Sequence, residues 1–400
     1  MNRIFLIIIY LLITATAFSQ NPADYILKAK ALIESGKTDE AVKIMTEAIA
    51  KMQDSRFYIL RGDALTTAGR YEDAIKDYNT ANNIEPASGD YGLARVYALS
   101  GEAGKSLNYL ESSLKSKFRH GEKEVMLDPA FSGIENSPEW RKFWKTERYG
   151  IPESKIQELK YYISVGKISE AQEITSELEK DYPSDNLTLY AGALVNFSAG
   201  RYREVITTMT KLTTSEKNNS DYTVLLARAQ MASGNPSGAI LSYSKLIESG
   251  TPDAGLYLQR AECYRKTGEY EKAMKDISKY LDFYPQNKEA LRMAGKTAAA
   301  MGDIPAGINY FTRNIELNPG DPECFIDRAD SYFTARAWEL AAKDYGMALD
   351  LKPDISDAWL NKGIALASMG KTNDACFDLR KAYSLGNKKA TTLISKYCIH

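Results

Sequence analysis

Residues suited to catalysis are scarce in this chain of 400 residues, which contains only two histidines. They are His120 and the last residue, His400, and neither has a Ser, Asp or Cys partner in a recognisable catalytic motif. The glycines form no phosphate-binding loop, and the acidic residues fall mostly on predicted helix surfaces. We therefore expect a protein that is not an enzyme and needs no cofactor. A site assembled from surface carboxylates is the weakest alternative.

The cysteines offer thiol or disulfide chemistry, and they are Cys263, Cys324, Cys376 and Cys398. None forms a Cys-x-x-Cys pair, so neither a zinc site nor a thioredoxin-type motif is indicated, and we expect no metal. Cys263 and Cys324 are interpreted as small core residues. The role of the other two depends on the elements that hold them.

The secondary-structure elements that hold these residues are predicted by a repeat in the sequence. Six small residues follow one another at a step of 34 residues: Ala193, Ala227, Ala261, Gly295, Ala329 and Gly363. A second series keeps the same step and consists of Gly166, Gly200, Gly234, Gly268, Gly302 and, after Arg336 takes one place, Gly370. This period is the spacing of tetratricopeptide repeats, in which each unit is a helix–turn–helix.

Residues 55–88 resemble one such repeat closely. Counted from residue 55, the matching positions hold Tyr58, Gly62, Leu65, Gly69, Tyr71, Ala74, Tyr78, Ala81 and Pro86. Residues 254–287, 322–355 and 356–389 resemble it as well. The resemblance implies an all-α fold, a right-handed superhelical solenoid of about ten helix-turn-helix repeats in two blocks with a C-terminal capping helix.

Two repeat positions have a direct physical reason. A small residue at position 8 lets the two helices of a repeat approach closely. A glycine at position 15 suits the left-handed conformation that commonly closes a helix. Arg336 occupies position 15 of one repeat, where a left-handed backbone would cost roughly 1–2 kcal/mol.

The repeats predict the domain organisation. We expect a signal peptide at 1–19, three repeats at 20–120, an aromatic joint at 121–151, seven repeats at 152–389 and a capping helix at 390–400. The joint holds Phe131, Ile134, Trp140, Phe143 and Trp144, which we interpret as a plug that closes the first block. An exposed aromatic docking patch is the alternative, and the connection is expected to be a kink or a modest hinge.

The N-terminus has the pattern of a secretory signal. Arg3 precedes the apolar run from Ile4 to Ile13, and small residues lead to Ser19. The run is too short for a comfortable membrane span, so we expect cleavage after Ser19, with Ala17 or an uncleaved anchor as alternatives. The segment resembles those of exported Bacteroidetes proteins, which implies the periplasm or cell envelope. A formal net charge of −1 gives no indication of nucleic-acid binding.

In the family that the chain resembles, helix A lines a concave groove that holds partners. The corresponding residues here are Tyr190, Phe197, Arg228, Glu262, Arg265, Lys296, Asp330 and Phe333. One interpretation pairs Arg228 with Glu262 and Lys296 with Asp330 as a solvated ladder, each pair worth about 0–1 kcal/mol. The other is a polar groove that clamps an extended peptide. The family's carboxylate clamp is not matched, because position 9 never holds Asn.

The repeat also places the remaining cysteines. Cys376 falls on helix B of the last repeat, and Cys398 ends a tail helix that should lie back over it. Exported chains permit disulfides, so a Cys376–Cys398 bridge is one hypothesis and two buried free thiols are the other.

These features favour a non-catalytic scaffold or adaptor that binds a partner peptide or protein, with no membrane span after cleavage of the signal. The alternative is a module that binds glycans or small ligands in the same groove. Many of the 26 tyrosines occupy repeat positions, which argues against aromatic platforms for sugars.

Overall fold

The computed structural model describes residues 21–398, which form 23 α-helices, one short 3-10 helix and no β-strand. The predicted signal peptide at 1–19, its cleavage after Ser19 or Ala17, and His400 lie outside the described residues. Within this range, no helix combines the length and the apolar character needed to cross a membrane.

The helices form antiparallel pairs in chain order. The first block consists of α1 (Pro22–Glu34), α2 (Thr38–Lys51), α3 (Ser55–Thr67), α4 (Tyr71–Ile84), α5 (Asp90–Leu99) and α6 (Ala103–Lys115). The joint consists of α7 (Glu122–Met126), the 3-10 helix Pro129–Phe131 and α8 (Pro138–Phe143). The second block comprises α9 (Ile151–Ser164), α10 (Ile168–Asp181), α11 (Asn186–Ser198), α12 (Tyr202–Ser215), α13 (Ser220–Ala232), α14 (Pro236–Glu248), α15 (Gly255–Lys266), α16 (Tyr270–Phe283), α17 (Lys288–Ala300), α18 (Ile304–Leu317), α19 (Pro322–Thr334), α20 (Trp338–Leu351), α21 (Ser356–Ser368) and α22 (Thr372–Ser384), and α23 (Ala390–Tyr397) closes the chain.

Position 8 has the predicted steric role. A β-carbon added to Gly295 would lie 2.5 Å from the Phe311 ring, and one added to Gly62 would lie 2.7 Å from the Tyr78 ring. Both rings come from the second helix of the same pair, so the absent side chain is what allows each ring to lie on the first helix.

The turn inside each pair is closed as the 34-residue step predicts. Gly36, Gly69, Gly302 and Gly370 have φ values of 73° to 85°, and in the first turn Lys37 N–H donates to the Leu32 carbonyl. This is a left-handed helix terminus, for which glycine is the favoured residue. Arg336 takes the same conformation, with φ of 57°.

The joint is a packed plug rather than a docking patch. Phe131, Ile134, Trp140 and Phe143 are buried, and they pack with Trp144 against α5 and α6. Ser137 accepts a hydrogen bond from Trp140 N–H at 3.1 Å and so caps α8. The exposed-patch alternative for these aromatic residues is therefore wrong.

The solenoid curves until its beginning meets a later repeat. Leu27 and Ala31 of α1 pack against Ala254 and against Phe283 of α16, with Tyr257 at the border. We call this contact between α1 and the edge of the seventh helix pair the clasp. The clasp therefore brings the first and the seventh helix pairs together.

The C-terminal helix α23 packs on α21 and α22. Its apolar side chains join Leu360, Leu379 and Ala382 in one cluster. Cys376 and Cys398 are joined by a disulfide, which ties the end of α23 to α22. Cys263 and Cys324 are free and buried, and burial raises the pKa of the Cys263 thiol to about 11.

Candidate functional site

The inner face of the solenoid is identified by helix contacts. The first helices of neighbouring pairs touch, as α1 does with α3, α9 with α11 and α19 with α21. The second helices of neighbouring pairs make no comparable contact across residues 21–398. The first helices therefore lie on the inner side of the curve, which places the predicted groove residues on the concave face.

Arg228 is the predicted groove residue that is most available to a ligand. Its side chain is exposed and has no acidic partner within ion-pair distance among the described residues. The guanidinium lies over the Phe197 ring, 4.9 Å from its centre. A cation held against an aromatic face in this way is fixed in place but keeps its charge available.

Neither predicted rung of the ladder forms in the second block. Glu262 pairs with Arg265 at 2.6 Å on its own helix, and Lys296 pairs with Asp327 at 3.0 Å. For Glu262 the reason is proximity along a helix, because Arg265 lies one turn away, where two side chains meet more easily than across the gap between repeats. Lys296 does reach the neighbouring repeat, but it pairs there with the buried Asp327 instead of Asp330.

Asp330 is held by its own repeat instead of by Lys296. It accepts a hydrogen bond from the Tyr345 hydroxyl at 2.5 Å, and burial, together with the nearby carboxylate, raises the pKa of that hydroxyl. Phe333 packs edge-on against the Trp338 ring at 5.1 Å. Two of the predicted groove residues, Asp330 and Phe333, are therefore both engaged within their own repeat.

Lys296 and Asp330 nevertheless border one shallow depression. It has a volume of about 330 Å³, and its polar lining consists of Lys296, Asp327, Asp330, Ser331 and Thr334. Asp327 is buried and also pairs with Arg292 at 2.6 Å. The depression therefore combines two hydroxyls and a lysine with the ion-paired Asp327 carboxylate and the hydrogen-bonded Asp330 carboxylate, which suits hydrogen bonding to a polar chain.

Tyr190 does not present its ring to the groove. It is only 6% exposed and packs on the Tyr222 ring with 5.0 Å between centres. Burial raises the pKa of the Tyr190 hydroxyl. The prediction that Tyr190 contacts a partner in the groove is therefore corrected, because its ring packs beneath the surface of the inner face.

A pairing of position 9 residues from neighbouring repeats does form, but it lies in the first block, where we did not predict it. Arg95 is 3.5 Å from Asp63 of the preceding pair and 2.9 Å from Asp128 in the joint. Tyr91 donates to Asp128 at 2.9 Å, and Tyr78 donates to Asp63 at 2.9 Å. The signal was present in the sequence, since Asp63 and Arg95 hold position 9 of consecutive repeats with opposite charge.

Burial dominates the electrostatics of this pairing. It raises the pKa of the Asp63 carboxyl even though Arg95 and the Tyr78 hydroxyl favour the charged form. At the outer end, the His120 ring stacks on Tyr91 with 3.7 Å between centres and lies 2.9 Å from Glu124. His120 is thus part of a packed polar network and not of a catalytic arrangement.

A second set of charged pairs links the two helices within single repeats. Each pair joins residues 16 apart, and the pairs are Arg61–Asp77, Arg260–Asp276, Arg328–Asp344 and Lys362–Asp378. Three of the cations also donate to a hydroxyl of the preceding repeat, as Arg260 does to Ser244 at 2.9 Å. Through these hydroxyls the charged pairs also connect neighbouring repeats. They are too enclosed to serve as contacts for a partner.

Across residues 21–398, no group of three or more His, Cys, Asp or Glu side chains is placed to hold a metal ion. The inner face consists of half-buried aromatic rings, ion pairs and the free Arg228, which is an arrangement suited to binding.

Family comparison supports the repeat pattern directly. The model of the tetratricopeptide repeat family matches residues 26–89, 224–288, 292–354 and 326–375, which together make up more than half of the chain. No curated protein sequence matches the chain.

Similar folds occur among solved structures, and one of them gives a TM-score above 0.5. The C-terminal part of a TPR repeat-containing protein from Cytophaga hutchinsonii is 16% identical, covers 59% of this chain and 98% of its own, and gives a TM-score of 0.51. A tetratricopeptide repeat protein from Parabacteroides merdae is 18% identical over 62% of this chain and 99% of its own, with a TM-score of 0.47. The APC/C hetero-tetramer Cut9-Hcn1 is 15% identical over 94% and 83%, with a TM-score of 0.49.

Proposed function

This chain belongs to the tetratricopeptide repeat family, and from that membership and its inner face we propose that it is a non-catalytic scaffold or adaptor of the bacterial cell envelope. Repeat proteins of this kind bind protein or peptide partners on an extended concave surface. The partner would lie along the first helices of the second block as an extended segment.

The observation that carries the proposal is the state of Arg228. An exposed guanidinium that rests on Phe197 and lacks an acidic partner among the described residues is available to a carboxylate or backbone carbonyl of a bound chain. Lys296 and the hydroxyls of Ser331 and Thr334 lie further along the same face. Binding of glycans or small ligands has less support, since Tyr190 and Phe333 are packed against other rings.

An envelope location has two supports. The N-terminal pattern of Arg3 followed by a short apolar run is typical of secretory signals. The Cys376–Cys398 disulfide suits an oxidising compartment. N-terminal sequencing of the protein from the envelope fraction tests export, because we expect the chain to begin at Gln20, whereas a chain that begins at Met1 would contradict cleavage.

The partner is tested by photo-crosslinking in cells. A photoreactive residue at Leu194, on the inner face of α11, is expected to capture a defined partner protein. The matched position Arg203, exposed on the outer helix α12, should not. The double change Arg228→Glu and Lys296→Glu should abolish the crosslink, while Arg203→Glu with Lys211→Glu changes the same charge on α12 and should leave it intact. Equal capture at both positions would overturn the groove.

A further inference from the structure

The C-terminal end of the solenoid presents aromatic side chains that the capping helix leaves uncovered. Phe377 is 66% exposed and Tyr383 is 56% exposed, both on α22. In a solenoid the outer side of the last pair is normally closed by a polar cap. Here α23 covers the inner part of α22 through Leu379 and Ala382 and leaves these two rings in solvent.

The same end is strongly basic. Residues 371–398 contain six Lys or Arg and two Asp, a net charge of +4 in a chain whose total is −1. One of the acids, Asp378, is already paired with Lys362. None of the six cations has an acidic partner within ion-pair distance among the described residues; they are Lys371, Arg380, Lys381, Lys388, Lys389 and Lys396.

Two of these cations, Arg380 and Lys381, line a depression between α22 and the end of α23. Its volume is about 480 Å³, and it is bordered by Phe377, Arg380 and Lys381 on one side and by Tyr397 on the other. The Cys376–Cys398 disulfide lies in its wall. The bridge fixes the distance between the two helices, so the depression is held open by a covalent bond rather than by packing alone.

We propose that this depression, which we call the end site, docks an acidic peptide segment of a partner protein, with one apolar or aromatic side chain seated beside Phe377 and carboxylates on Arg380 and Lys381. Charge complementarity selects the occupant, because six unpaired cations attract acidic chains and repel basic ones. The proposal rests on the scaffold function and adds a contact outside the concave face.

Other occupants fit the end site less well. A membrane surface would require a broader apolar face than two separate rings provide. A second copy that continued the solenoid would need a free first helix, but Leu27 and Ala31 of α1 are buried in the clasp. An acidic segment needs only a small depression and a basic border, and both are present.

The test is fluorescence anisotropy of the mature chain with a labelled peptide of glutamates around a central Trp. We expect binding that weakens as salt increases, because the contact is largely between charges. Arg380→Glu with Lys381→Glu should raise Kd on the order of tenfold or more. The matched control, Lys275→Glu with Lys343→Glu, makes the same charge change at exposed lysines of α16 and α20 and should change Kd less than twofold.

Four results would overturn the end site. One is an Arg380/Lys381 variant that binds the peptide as the parent does, and another is a control that loses as much affinity. The third is loss of binding only in the Arg228→Glu, Lys296→Glu variant, which would move the peptide to the concave face and leave the scaffold function standing. The last is a parent chain that does not bind the peptide. Such a chain would instead bind phosphatidylglycerol vesicles, or self-associate in sedimentation, through Arg380 and Lys381.

Discussion

The hydroxyl of Tyr284 donates a hydrogen bond to the carboxylate of Glu34 at 2.8 Å, although the two residues are 250 positions apart in the chain. Lys279 of the same helix pair forms an ion pair with Asp24 at 2.8 Å, and Phe283 packs on Leu27 between them. The clasp therefore has an apolar centre flanked by two polar contacts. It joins the first helix pair to the seventh, so that this part of the solenoid forms a closed turn.

Breaking the ion pair of the clasp should open the solenoid. Lys279→Glu places a carboxylate against Asp24, and like charges at this distance repel. We expect a larger radius of gyration in small-angle X-ray scattering, with an unchanged helical circular dichroism spectrum. The added change Asp24→Lys restores opposite charges and should restore the compact form.

A matched control for the clasp is Lys275→Glu, which reverses an exposed charge one turn away on the same helix, at a residue with no ion pair among the described residues. It should leave the scattering curve unchanged. If Lys279→Glu alone also leaves it unchanged, the apolar centre at Leu27 and Phe283 suffices to hold the turn, and the ion pair contributes nothing measurable.

Arg336→Gly should stabilise the chain. Arg336 is exposed and adopts a φ of 57°, a conformation that is unfavourable for residues with a β-carbon and free for glycine. We expect the apparent melting temperature to rise, with a gain of up to about 1 kcal/mol after the greater flexibility of glycine in the unfolded chain is counted. The converse change, Gly370→Ala at a φ of 75°, should lower it, and a clear loss for Arg336→Gly would contradict this account.

The regular parts of this fold could be predicted from sequence because each repeat position has a local cause. Gly302 marks a turn through its backbone conformation, and Gly295 marks a helix contact through its missing side chain. Both effects act within one repeat. A single period of 34 residues therefore gave the helix pairs, the turns and the position of Arg336.

The site was predicted less well, since its contacts depend on competition between neighbours. Glu262 had two possible cationic partners and took Arg265 on its own helix, a choice that position 9 alone cannot reveal. Asp63 and Arg95 carried the same alternation and did pair, because both lie beside the packed joint. The clasp depends on the accumulated curvature of seven pairs, which no local pattern encodes.

Gly295→Ala should destabilise α17 and α18, the fifth helix pair of the second block, through overpacking. The new methyl group would lie 2.5 Å from the buried Phe311 ring, so the two helices must move apart at a cost of roughly 1–3 kcal/mol. Gly346→Ala is the matched control, because there the only nearby atom belongs to the flexible Lys362 side chain at 3.9 Å. It should be neutral or stabilising through helix propensity, and equal losses in the two melting curves would contradict a steric role for position 8.

The buried pair Lys362–Asp378 should make stability depend on pH. Burial raises the pKa of the Asp378 carboxyl despite the nearby Lys362 ammonium. The folded chain therefore binds this proton more tightly than the unfolded chain, whose Asp pKa is about 4, and the contribution of Asp378 to stability falls as pH rises from that value through the raised pKa.

Asp378→Asn removes this titration, so the difference in melting temperature between variant and parent should shift in favour of the variant as pH rises through that window. Asp350→Asn, at an exposed site on α20, should show no such trend, and a constant difference for Asp378→Asn would mean that the pair keeps its charge throughout.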